Sequence, residues 1–206
     1  MIKAILLDFG GVVYKHPKEV IPEVLARIYR VPVDRAIQEY GKHKVKYFTG
    51  VMSTNKFIKH LSSVFNSALP IREVKRLWVK YYARLARPDR EVLNIINSFR
   101  KKGYKTYLYS NTTDMSDKHN SKTGIYDYFD GLFLSYKLGV RKPDLISYQK
   151  VLSILKLRPE ECVLIDDDQK NLLPAKSLGM KTILFDILFD NPRKLKEKLY
   201  ELDVKS

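Results

Sequence analysis

The sequence predicts an α/β protein: a five-stranded parallel sheet flanked by helices, with a helical insertion after the first strand. Three observations lead there. Short apolar runs at 2–7, 105–110, 131–135, 161–167 and 181–185 have the length and near-continuous hydrophobicity of strands buried on both faces. The later ones alternate with helical patterns, which calls for right-handed crossovers between parallel strands. The first is cut off from the rest by a long stretch of purely helical periodicity.

In chain order, residues 2–7 form the first strand and run into Asp8, Phe9, Gly10 and Gly11. Val20, Ile21, Val24, Leu25 and Ile28 then recur at helical spacing. So do Phe57, Ile58, Leu61, Val64 and Phe65, with Ser53 or Thr54 placed to cap that helix. Val74, Leu77, Trp78, Tyr81, Tyr82 and Leu85 mark a third, with Arg72, Lys75, Arg76 and Lys80 on its other face. The stripe of Trp78, Tyr81 and Tyr82 is expected to pack internally rather than to wall a pocket. "RPDR" at 87–90 punctuates the end. A helix over about 89–102 stops before Gly103, and others follow at about 143–156 and 169–178, the last ending at Gly179 as a helix C′ glycine would. The final segment, from Asn191 on, has the pattern of a closing amphipathic helix that frays at its end. The expected organisation is a core of 1–14 and 88–206, with a helical cap over 15–87.

Composition narrows the function classes. At 206 residues the chain buries roughly 70% of its unfolded surface, enough for one solid core. No apolar run approaches the ~20 residues of a membrane span, and no signal peptide is expected. The single cysteine, Cys162, lies inside an apolar run and reads as a buried structural thiol, which fits a reducing cytoplasm. The net charge of +15 favours anionic ligands. The basic residues are scattered rather than blocked, so a nucleic-acid partner is possible on charge alone but not favoured over a small phosphorylated metabolite. The tripeptide "DFG" at 8–10 lacks every kinase element that should precede it, and its kinase likeness is accidental.

Ligands of open α/β sheets bind beyond the carboxyl ends of the strands. Here the first strand ends at Asp8 and the second at Ser110 and Asn111. The third is followed closely by "GVRKPD" with Lys142, and the fourth ends at Asp166, Asp167 and Asp168. Taken singly, Asp8 also reads as a turn residue or cap, Ser110 as a turn hydroxyl and Lys142 as a solvated side chain. Three consecutive acids repel one another unless a cation or hydrogen-bond donors offset the charge. Order and strand-end placement together make the set a candidate site.

With these motifs the chain resembles the haloacid dehalogenase superfamily, whose Rossmann-like core carries such caps. "LLDFGGVV", "YLYSNTT", "GVRKPD" and "VLIDDDQKN" resemble its four motifs in order, and "YFTG" with the following "STNKF" is typical of its caps. The D-x-G-x-V form of the first motif resembles a subgroup of sugar-phosphate phosphatases, such as glucose-1-phosphatases, and the phosphatase domain of soluble epoxide hydrolases. The resemblance implies an Mg²⁺-dependent phosphatase acting on a small phosphate monoester. Asp8 would be the nucleophile. Metal ligands would be Asp8, the carbonyl of Gly10, Asp167 and Asp166. Ser110, Asn111 and Lys142 would hold the phosphoryl group, with Ser110 and Lys142 acting in catalysis, and Asn111 and Asn171 would orient their neighbours.

One position departs from the pattern. Most phosphatases of the superfamily place a second Asp two residues after the nucleophile, as acid and then base; here that residue is Gly10. Water, a cap residue or the substrate could take its place; Tyr14, Lys15 and His16 follow closely and could approach the pocket, but His16 is expected to be a solvated loop residue. On this reading Gly10→Asp should raise turnover. Two alternatives stay open: a catalytically weak phosphate- or Mg²⁺-binding or regulatory module, and a 2-haloacid dehalogenase, which needs no leaving-group acid but lacks the acidic run. Oligomeric state is not readable from the sequence.

Overall fold

The computed structural model describes residues 1–202. In chain order the elements are β1 (Ala4–Leu7), β2 (Tyr14–Lys15), α1 (Val20–Tyr29), α2 (Val33–Phe48), α3 (Thr54–Val64), α4 (Ile71–Leu85) and β3 (Arg87–Pro88). There follow α5 (Arg90–Lys101), β4 (Lys105–Ser110), α6 (Asp114–Asn120), β5 (Gly131–Leu134), α7 (Ser135–Leu138) and α8 (Leu145–Leu155). The last are β6 (Cys162–Asp166), α9 (Gln169–Ser177), β7 (Lys181–Leu184) and α10 (Pro192–Glu201). The expected fraying beyond α10 falls on residues outside those described.

Five strands pair in parallel in the order β5-β4-β1-β6-β7. The chain moves outward from β1 through β4 and β5, then returns to β6 on the other side of β1. The order therefore reverses at β1, the place where such sheets open a crevice. Alternation sorts the side chains to two faces. Ile5, Leu7, Leu108, Val163 and Ile165 join one apolar cluster, and Ala4, Leu6, Tyr109 and Leu164 the other. The register sets Leu7 opposite both Leu108 and Ile165, so the residues that follow each strand emerge side by side.

Helices α1–α4 occupy the chain between β1 and β4 and share the first cluster, in which Phe57 and Trp78 are fully buried. Burying one such aromatic contributes roughly 1.5–3 kcal/mol, so the helical segment is held mainly by packing. Ser53 caps α3, its hydroxyl accepting from the Lys56 N–H as expected. Tyr47 stacks on Phe57, with ring centroids 4.6 Å apart, and Trp78 meets both edge-on. Trp78 and Tyr82 are both buried in this cluster, as expected of the stripe, and Tyr82 also lines the cavity described below.

Two features were not marked out individually by the sequence. Helix α2 buries only Ala36, Tyr40, Tyr47 and Phe48, a sparse stripe without an aliphatic period, and starts after Pro32 with no side-chain cap. The ribbon β2–β3 pairs Tyr14 with Pro88 and Lys15 with Arg87, at the point where the chain leaves the sheet region and comes back. Gly103 and Gly179 adopt positive φ, as expected for residues that end helices. Cys162 is buried, and burial pushes its thiol pKa up to about 12. No helix among the described residues is long and apolar enough to cross a membrane.

Candidate active site

The crevice at the carboxyl ends of β1, β4 and β6 opens into a cavity of about 460 Å³. The Asp8 backbone N–H still donates to the Ile165 carbonyl (2.9 Å), so the sheet fixes its position one residue past β1. Its carboxylate meets Asp166 and Asp167, and one oxygen of each lies within 4.8 Å of the others. Lys142 comes up beneath them. Its ammonium has no solvent exposure, donates to Asp166 Oδ2 at 2.5 Å and lies 3.1 Å from Asp8 Oδ1. It also lies 5.0 Å from the centre of the Tyr109 ring. The solvated reading of Lys142 is thereby excluded: a lysine this deep stays charged only because it is paired.

Electrostatics follow from that crowding. Burial lifts the Asp8 pKa to about 6, with Lys142 pulling it down and Asp166 pushing it up. Asp167 rises to about 7 through burial and repulsion from Asp8, Asp166 and Asp186. Burial works against the Lys142 charge, but the two carboxylates outweigh it and hold its pKa above the ordinary lysine value. A cluster of carboxylate oxygens strained in this way has the chemistry of a site for a hard divalent cation such as Mg²⁺.

The three acids at the end of β6 have separate jobs. Asp166 accepts from Lys142, from Asn171 Nδ2 (2.9 Å) and from the Asp168 N–H (2.9 Å), so both its oxygens are occupied by protein donors. Asp168 caps α9, accepting from the Lys170 N–H at 2.9 Å. Asp167 alone points its carboxylate, free of hydrogen bonds among the described residues, toward Asp8. Asn171 orients Asp166, in keeping with expectation. Ser110 is buried at the end of β4 and lines the cavity. Asn111 orients Lys142, in keeping with the expectation that it orients its neighbours. Its amide clasps the Lys142 backbone, donating to the carbonyl (2.8 Å) and accepting from the N–H (2.9 Å).

The two glycines after Asp8 make room for side chains from elsewhere. A Cβ on Gly11, which has φ +75°, would overlap the Asp167 carboxylate. A Cβ on Gly10 would overlap His16 Nε2 and lie 2.7 Å from its Cε1. His16 is not a solvated loop residue: the turn over 11–15 folds back and lays its imidazole over Gly10, half-buried against the cavity. Burial lowers its pKa, opposed by the Pro17 carbonyl and by Asp186. Sequence reasoning gave Gly11 no place in the site and favoured a solvated loop for His16 over an approach to the pocket.

Comparison with known proteins agrees with this arrangement. The family model of haloacid dehalogenase-like hydrolases matches residues 2–179. A D-ribitol-5-phosphate phosphatase of Bacteroides thetaiotaomicron is 28% identical over 193 residues, covering 88% of this chain and 91% of that one. Bifunctional epoxide hydrolase 2 of Rattus norvegicus is 32% identical over 129 residues, 60% of this chain but only 21% of that protein. Among solved structures, a HAD family enzyme of Bacteroides thetaiotaomicron in complex with magnesium and inorganic phosphate superposes with a TM-score of 0.76 at 24% identity, covering 89% of this chain and 94% of that one. A HAD-like hydrolase of Porphyromonas gingivalis gives 0.80 at 22% identity over 97% and 98% of the two chains. With its sheet order, its strand-end residues and a match over most of its length, the chain belongs to the haloacid dehalogenase-like hydrolases.

Proposed function

We propose that this hydrolase is a phosphatase of small phosphate monoesters that uses Asp8 as nucleophile and residues 15–87 as a cap over the site. The observation that carries the reading is the meeting of Asp8, Asp166 and Asp167 above a fully buried Lys142. Phosphate relatives agree with it: the Bacteroides phosphatase acts on a sugar-alcohol phosphate, and a structural neighbour holds magnesium and phosphate.

The residues divide the work as follows. Asp8 Oδ attacks phosphorus while the ester oxygen leaves, giving an aspartyl-phosphate that water then hydrolyses. Asp8, Asp167, the Gly10 carbonyl and, more weakly because its oxygens already accept protein donors, Asp166 would hold Mg²⁺. When bound, the ion supplies positive charge that lets an anionic nucleophile meet an anionic phosphate. Lys142 keeps Asp8 ionised and offsets charge on the transferring group. The Ser110 hydroxyl and backbone N–H groups of the loop after β4 hold phosphoryl oxygens. Arg141, Lys44 and Lys18 line the same cavity and make no ion pair among the described residues, which suits an anionic substrate. A cavity of about 460 Å³ suits a metabolite better than a polymer. A dehalogenase is disfavoured by the acidic cluster, since two extra carboxylates oppose a carboxylate substrate unless a cation offsets them.

Hydrolysis of p-nitrophenyl phosphate, with and without Mg²⁺ and beside Asp8→Asn, tests the reading. Release of p-nitrophenolate that needs Mg²⁺ and is lost in the variant supports it. Activity that survives the substitution or ignores EDTA overturns it. A panel of phosphorylated metabolites then names the substrate.

A further inference from the structure

A phosphate ester needs more than a nucleophile. The departing alkoxide must gain a proton, and the water that attacks the aspartyl-phosphate must lose one. The groups that line the cavity near Asp8 can be taken in turn. Lys142 is bound to two carboxylates, Asp168 is fixed as a helix cap, and Asp167 belongs to the cation site. Glu19 and Lys18 are exposed at the rim. Tyr40 and Tyr82 are deeply buried, and burial raises the pKa of each phenol, which makes both poor acids.

His16 is placed differently. Its ring occupies the volume that a side chain two residues after Asp8 would fill. Its Nδ1 lies 2.7 Å from the Pro17 carbonyl. A carbonyl oxygen only accepts, so Nδ1 carries a hydrogen and Nε2 is the nitrogen left for the cavity. That contact also fixes the ring plane, as an orienting partner does for a catalytic imidazole. Nε2 is the ring atom a Cβ of Gly10 would meet first.

We propose that His16 is the proton-transfer residue of the reaction, working from the space above Gly10. This rests on the phosphatase reading. In the first half-reaction the imidazolium form of His16 gives its Nε2–H proton to the ester oxygen as the P–O bond breaks and the Asp8 Oδ–P bond forms; the alcohol leaves and the ring is neutral, keeping its Nδ1 hydrogen on the Pro17 carbonyl. In the second, Nε2 takes a proton from water as its oxygen bonds to phosphorus. The Asp8 carboxylate departs, inorganic phosphate is released, and the protonated ring is restored.

The experiment compares the wild type, His16→Ala and His16→Gln in Mg²⁺ on phenyl phosphates whose leaving groups run from p-nitrophenolate to phenolate. Expected is a loss of ~10²-fold or more on phenyl phosphate and a smaller one on p-nitrophenyl phosphate, whose leaving group needs no acid. The variants should also give a burst of p-nitrophenolate equal to the enzyme concentration, because the aspartyl-phosphate forms faster than it is hydrolysed. Competitive inhibition by inorganic phosphate checks that the variants remain folded. Gly10→Asp combined with His16→Ala puts a carboxylate into the same volume and should recover much of the lost turnover on phenyl phosphate. An unchanged dependence on the leaving group, whether rates fall together or not at all, overturns the proposal. If wild type itself releases no p-nitrophenolate in Mg²⁺, the phosphatase reading has failed first.

Discussion

Asn111 holds Lys142 by its backbone at both ends, its amide nitrogen on the Lys142 carbonyl at 2.8 Å and its amide oxygen on the Lys142 N–H at 2.9 Å. The loop that delivers the buried ammonium is thereby tied to the end of β4, next to Ser110. Asn111→Ala removes both bonds and lets Lys142 shift under Asp8. Turnover is expected to fall 10- to 100-fold, with Mg²⁺ affinity by calorimetry changed much less, since a misplacement of about 1 Å is enough for such a loss.

Removing the ammonium is costlier. Lys142→Met leaves the carboxylates of Asp8 and Asp166 facing each other without their shared counter-charge. Breaking a buried pair costs about 3–5 kcal/mol, so a large drop in denaturant midpoint accompanies loss of activity. Pairing the change with Asp166→Asn should restore part of the stability but not the activity.

Without metal, the raised carboxylates set the pH dependence of stability. Asp8 at about 6 and Asp167 at about 7 hold protons in the folded state over a range where the unfolded chain, near 3.8, has lost them. The folded state therefore binds more protons between pH ~4 and ~7, and stability falls as pH rises through that window. In EDTA the melting temperature should be higher at pH 5.5 than at pH 8. Mg²⁺ should raise it most at pH 8, and Asp167→Asn should flatten the EDTA profile.

Gly11→Ala tests the cation site without touching a carboxylate. At φ +75° the alanine is strained, and its Cβ overlaps the Asp167 side chain. The expected result is weaker Mg²⁺ binding, by tenfold or more, with thermal stability lowered as well.

Arg141 offers its guanidinium to the cavity with a buried Nε that has no partner among the described residues. Arg141→Ala is expected to raise KM about tenfold for an anionic metabolite and to leave kcat nearly unchanged, as loss of a charged hydrogen bond in substrate binding would.

The strand ends were legible in the sequence because a doubly buried strand is a continuous apolar run, and the first polar residue after it faces the rim. That rule located Asp8, Ser110 and Asp166 directly, and Lys142 by its place after the third strand. What the rule could not supply was the direction of side chains in the turns. Asn111 turned to a backbone, and Asp168 to a helix end. His16 reached the cavity because the turn before it closes on itself, Val13 and Tyr14 donating to the Phe9 carbonyl and Gly11 to that of Tyr14, while Tyr14 also pairs with Pro88, far along the chain. The sequence signal for His16 was present as the missing side chain at Gly10, as that for Asp167 was at Gly11: adjacent glycines beside Asp8 mark volume filled by something else. Helix α2 lies in the stretch expected to be helical but was not marked out within it, because aromatic and alanine contacts carry its packing, without the aliphatic repeat that announces a helix.

The ribbon of Tyr14–Lys15 with Arg87–Pro88 has one more effect. It draws the two ends of a long excursion together, so the closure entropy of that loop is settled at its neck, and this entropy grows only slowly with length. The strand order on the far side of the neck is thus continuous across the excursion, although the helices of the excursion share an apolar cluster with the sheet. Changes in helix length there add little closure entropy, provided the apolar cluster that these helices share with the sheet stays covered. A hydrolytic core of this build can acquire new substrates by rewriting one contiguous passage of its gene.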